Sequence, residues 1–209
     1  MLNKIEPNEI WNVITHAFGL LLSIIASTYF YTYFTFESAR VLVALIIYCF
    51  SLVFLFSAST IYHSTIGARK IIWRKVDHIA ILFLIAGTYT PVTLTLLYET
   101  SGILILSGVW IITGFGIVFK AFYTGRFENI SLVMYLLMGW FILIDIKSVF
   151  EFFSNTALTF LVLGGLFYTS GIFFYKWGKF KESHAIWHVF VLVGAICHFF
   201  MVREVLILN

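Results

Sequence analysis

The stretch KESHAIWHVFVLVGAICHFF, residues 181–200, decides how the rest of this chain is read. Its apolar run matches the roughly 20 residues that a helix needs to cross a bilayer. It also carries His184, His188 and His198. An imidazole in hydrocarbon is costly unless it is paired, ligated or facing water. His184 and His188 are spaced i, i+4, so they share one helix face a turn apart. His198 falls about 40° off that stripe and about 21 Å deeper, too far to share an ion with the pair.

The rest of the composition agrees with a membrane setting. Of 209 residues, 61% are hydrophobic and 11% charged, where soluble domains run near a quarter charged. The expected class is an all-α, multi-pass membrane protein forming a single domain over residues 1–209. The net charge of +3 is then a matter of loops and topology, and no nucleic-acid partner is expected. Cys49 and Cys197 both sit in apolar runs and are read as reduced packing residues. No cleavable signal peptide is read at the start.

Seven spans are expected, near residues 13–34, 41–63, 78–98, 102–122, 130–147, 157–175 and 184–202. The breaks between them include FESAR, GARKIIWRKVD, YETSG, YTGRFEN, KSVFEFFSN and KWGKFKES. On one side lie Lys4, Arg69, Lys70, Arg74, Lys75, Lys120, Arg126, Lys176, Lys179 and Lys181; on the other, Arg40, Lys147 and Arg203. Positive charge favours the cytoplasmic side, so the N-terminus is expected inside and the C-terminus outside. Glycines on the spans, among them Gly102, Gly108, Gly114, Gly116, Gly164, Gly165 and Gly171, are read as sites of close helix contact.

This topology gathers ionisable residues at one depth. His63 ends the second span, Asp77 begins the third, His184 and His188 begin the seventh, and Glu9, Asn12 and His16 open the first. The pair on the seventh span can hold an ion with a ligand from another helix, and His63 is the natural third. Zinc suits three imidazoles best, with water completing an open, catalytic site. Water on such a metal ionises near neutral pH. Asp77 could be a ligand, or could hold that water and take its proton. Ser59, one turn before His63, could support a ligand or donate to an oxyanion.

Blander roles are expected for the remaining polar residues. Glu9, Asn12 and His16 share a stripe and read as capping and helix packing. His78 reads as an interface histidine, and His198 as a cavity-lining or helix-bonding one. Asp145 and Lys147 read as solvated. The Arg69–Lys75 cluster reads as a loop topology determinant with anionic-lipid contact as a second role. Pro91 should kink the third span.

Four blocks carry a family resemblance: EIWNVITHAFG near the start, SASTIYHS around Ser59 and His63, RKVDHIAILFLIAGTYTP around Asp77, and HAIWHVFVLVGAICHF around His184 and His188. Together, and in this order, they resemble the hemolysin-III branch of the PAQR superfamily, whose animal relatives include adiponectin and progestin receptors. The resemblance covers essentially the whole chain. It implies seven helices with the N-terminus inside, zinc held by His63, His184 and His188, and Asp77 beside the metal-bound water. The superfamily is also similar to alkaline ceramidases, which cleave a lipid amide.

Three functions follow as expectations. The first is zinc-dependent hydrolysis of a lipid amide or ester, with membrane lipids as partners and Asp77 and Ser59 as catalytic residues. The second is a membrane-state regulator in which zinc is structural. The third is a cytolysin, as the family name suggests, although the spans are too apolar to line an obvious wide channel. The expected location is the plasma or inner membrane of a bacterium.

Overall fold

The computed structural model describes residues 5–35, 38–177 and 182–208. Lys4, Lys179 and Lys181 of the charge count, and the first two residues of the FESAR break, lie outside the described residues. A short 3-10 turn, Pro7–Glu9, leads into α1 (Ile10–Tyr33). Then follow α2 (Ala39–Ser64), α3 (Arg69–Leu94), α4 (Gly102–Tyr123), α5 (Glu128–Gly139), α6 (Ile146–Phe152), α7 (Asn155–Trp177) and α8 (Ser183–Ile207). Among the described residues there is no strand, and seven segments are long and apolar enough to cross a membrane. The chain is an all-helical, multi-pass membrane protein.

Eight helices make seven spans because the fifth span is broken. Its segment, Glu128–Phe152, comprises α5, a 3-10 stretch at Phe141–Asp145, and α6. The break is stabilised from α3: Tyr89 Oη donates to the Gly139 carbonyl at 2.9 Å and accepts from the Ile142 amide at 3.0 Å. Backbone groups freed inside a bilayer need such partners, because lipid supplies none. Asp145, expected to be simply solvated, accepts from the Ser148 amide and so caps α6.

The third span departs most from expectation. Its helix starts at Arg69, so the basic cluster forms two helical turns and is not a loop. Three of its four cations have partners there. Lys70 Nζ is 2.7 Å from Glu9, Arg74 is 3.5 Å from Glu128, and Lys75 Nζ donates to the Ala121 carbonyl at 2.7 Å near the end of α4. A lysine at a helix C-terminus satisfies carbonyls that the helix itself leaves free. Lys120, counted with the charges of the basic side, is fully buried on α4 and sits 3.2 Å from Glu128. A buried ammonium requires such a partner. Pro91 lies in the last turn of α3, where Thr95 donates its hydroxyl to the Pro91 carbonyl at 2.6 Å.

The helices close into a bundle. α1 packs on α2 and α8, α2 on α3, α3 on α4, and α7 on α8, while α3 also reaches α8 and α5. Tyr48, Phe30, Phe56 and Leu82 are among the fully buried side chains. Large apolar side chains such as Phe115, Phe122, Leu104 and Leu137 instead face outward. A water-soluble surface would not carry this apolar load, whereas lipid solvates it. Cys49 and Cys197 are free thiols. Gly164 lets the His198 ring lie against α7, while Gly114 has open space where a Cβ would sit and serves no close contact.

Candidate metal and substrate site

The last turn of α2 and the first turns of α8 end at the same level. That brings one donor nitrogen each of His63, His184 and His188 within 4.8 Å of one another. The ring centroids are 5.3 Å apart for His63 and His184, 4.8 Å for His63 and His188, and 4.4 Å for His184 and His188. Two nitrogens on one tetrahedral zinc ion stand about 3.3 Å apart, so a modest closing of the three rings would bring the cluster to coordinating size. Among the described residues this is the one group of three such side chains placed to hold a metal.

The hydrogen bonding says more than the spacing. His63 is 3% exposed and His188 4%, and both are buried with one ring nitrogen unpartnered: Nε2 of His63 and Nδ1 of His188. Buried polar atoms are nearly always paired, so an orphan asks for a missing ion or water. His63 Nδ1 is engaged by Glu9 Oε2 at 2.7 Å. A carboxylate only accepts, so Nδ1 carries the proton, and in the neutral ring Nε2 carries the lone pair. A lone pair aimed into a nitrogen-lined gap fits a cation such as zinc.

The cluster separates two chambers. The outer one is polar, lined by Pro7, Asn8, Glu9, Asn12, Tyr62, His63 and His184. The inner one is mainly apolar and runs down the bundle among α3, α5, α7 and α8. His184 lines both chambers. His16, Ser59, Asp77 and His188 stand on the wall of the inner one, together with Leu84, Leu132, Trp140, Trp187 and Val191. Ser59 and Asp77 stand on the same wall, and His78 Nδ1 lies 3.6 Å from the Asp77 carboxylate. Asp77 thus lies two turns inside α3 and not at its start.

One expectation changes here and another widens. Glu9 makes no side-chain cap at the start of α1. It reaches His63 and Lys70 instead, so its role is at the cluster and not in capping. His16 is buried with neither ring nitrogen partnered, and its ring centroid is 4.0 Å from that of His188. Its ring also packs against Phe56 of α2 at 5.6 Å between centroids, so the packing role holds, and the bare nitrogens add a place at the cluster. The sequence held one signal for both: Glu9, Asn12 and His16 share a helical stripe, and such stripes face a common target. His198 lies in the inner chamber, with Nε2 3.4 Å from the Leu161 carbonyl of α7. His78 bonds the Arg74 carbonyl through Nδ1 at 2.8 Å, while Tyr135 on α5 donates to the His78 carbonyl at 3.1 Å.

The family described as Haemolysin-III related matches residues 5–199. The chain is 42% identical over 196 residues to the Hemolysin-3 homolog of Bacillus subtilis (strain 168), covering 93% of this chain and 92% of that one. It is 39% identical over 204 residues to Hemolysin-3 of Bacillus cereus, covering 96% and 93%. It is 28% identical over 205 residues to the monocyte to macrophage differentiation factor of Homo sapiens, covering 93% and 83%.

Proposed function

Because the chain belongs to the haemolysin-III-related family, and joins an imidazole cluster to an apolar chamber, we propose that it is a zinc-dependent hydrolase of a lipid amide or ester. His63, His184 and His188 would hold the ion. Bound zinc supplies a Lewis acid that polarises an acyl carbonyl and makes water nucleophilic at neutral pH. The observation that carries the reading is the inner chamber, where Asp77 and Ser59 share a wall with His184, His188 and apolar side chains.

Each residue then has a task. The apolar wall, with Leu84, Leu132 and Val191, takes the acyl chain and excludes bulk water. Asp77 accepts the proton of the attacking water and returns it to the departing nitrogen or oxygen as the acyl bond breaks. Ser59, on the same wall, offers a hydroxyl beside the Asp77 carboxylate or a developing oxyanion. His16, with free ring nitrogens, offers a polar contact to the substrate at the same end. The polar outer chamber gives water and the released head group a path. With the positive-inside reading, this end faces the cytoplasm of a bacterial plasma or inner membrane.

The test is metal analysis and turnover on one preparation. Purified wild type should carry zinc and cleave ceramides or other acyl lipids, and His63→Ala and His184→Ala should lose both. Fully zinc-loaded protein that cleaves no acyl lipid would overturn the hydrolase reading.

A second reading has its own observation. α2 and α8 share little direct packing, so an ion between His63 and the α8 pair would be a principal tie between them. Zinc would then be structural in a membrane-state regulator. Asp77→Asn separates the readings, since it removes the proton acceptor and leaves all three imidazoles.

A further inference from the structure

Glu9 ends a 3-10 turn in front of α1, where a carboxylate would ordinarily cap the helix. Both its oxygens are used elsewhere. Oε2 accepts from His63 Nδ1 at 2.7 Å and from Asn12 Nδ2 at 2.6 Å. Oε1 accepts from Lys70 Nζ at 2.7 Å. One carboxylate therefore joins the start of α1, the end of α2 and the start of α3. The His63 side chain is 2% exposed and that of Glu9 12%, so water competes little for these bonds.

A neutral imidazole can carry its proton on either nitrogen, and its ring can turn to suit. Only the Nδ1–H form leaves Nε2 able to donate to a cation. We infer that Glu9 is a positioning residue for the candidate cation site: it holds His63 in the Nδ1–H tautomer, sets its ring orientation and strengthens it as a donor. Lys70 and Asn12 fix the carboxylate, so the clamp needs α1, α2 and α3 docked together. A ligand histidine backed by a carboxylate is the usual arrangement at protein metal sites. The inference rests on the zinc reading, and the test keeps the two apart.

Wild type, Glu9→Gln and Lys70→Met are purified metal-free. Zinc Kd is measured by chelator competition, and the tautomer of His63 by 15N NMR of the metal-free protein. Glu9→Gln should weaken zinc binding by about 10- to 100-fold and move His63 from a single Nδ1–H form to a mixture. Lys70→Met should weaken it less, by at least threefold. A Glu9→Gln Kd within twofold of wild type, or an unchanged tautomer, overturns the inference. If Glu9→Gln does not fold, Lys70→Met decides: a threefold or larger loss supports the clamp, and unchanged affinity overturns it. Wild type that binds no zinc defeats the proposed function itself. Wild type and Glu9→Gln that bind equally tightly defeat only the clamp.

Discussion

Nδ1 of His63 and Oε2 of Glu9 are 2.7 Å apart, although 54 residues separate them in the chain. That bond converts a histidine at the end of one helix into an oriented donor. It also ties the site to the 3-10 turn that leads into α1.

His184→Ala should lower bound zinc from about one ion per chain to near none, since two imidazoles hold the ion far less well than three. Ligand binding stabilises the folded state, so zinc should raise the unfolding midpoint of wild type and not of the variant. Elemental analysis and thermal unfolding in detergent, with and without a chelator, check both statements.

Asp77→Asn should keep zinc and the thermal midpoint while cutting turnover by about 10² or more, the scale of a lost general base. Ser59→Ala, which removes a hydroxyl from the same wall and leaves the carboxylate, should cost about tenfold, the scale of one hydrogen bond made during the reaction at roughly 1.4 kcal/mol. The measurement is kcat on an acyl lipid beside zinc content. A loss of zinc in Asp77→Asn would assign Asp77 to the ion and not to the proton.

Gly164→Ala places a methyl where the His198 ring lies. Overpacking of this kind costs about 1–3 kcal/mol, so the unfolding midpoint should fall. Gly114→Ala meets nothing within 4 Å, and should be neutral or stabilising by up to about 1 kcal/mol through helix propensity. Equal effects at the two positions would contradict the packing described for α7 and α8.

Lys120→Met leaves Glu128 without its 3.2 Å partner, while Arg74 remains at 3.5 Å. With that residual pairing, and with Glu128 partly exposed, the loss should be about 2 kcal/mol. Adding Glu128→Gln should recover part of it, because the uncompensated charge is gone. A double-mutant cycle of unfolding free energies reads the coupling.

Much of the architecture was legible in the residues. Apolar runs of membrane-crossing length mark the spans, because hydrocarbon admits only segments that satisfy their own backbone. The i, i+4 spacing put His184 and His188 on one face, and charge breaks put His63 near the same level. One misreading has a clear cause. Arg69–Lys75 looks like a loop when charge is taken as a sign of water. The long apolar stems of Lys70, Arg74 and Lys75 allow them to sit on a helix and reach partners instead.

The sequence by itself determined what is periodic and local: seven apolar spans, the histidine pair on the last of them, and the family to which four ordered blocks belong. Only the tertiary structure decided who meets whom. Glu9 reaching His63, His16 standing unpartnered beside His188, and Asp77 sharing a wall with the cluster all depend on how the helices rotate and slide against one another. Those angles follow from packing summed over the whole bundle, and no short stretch of residues encodes them.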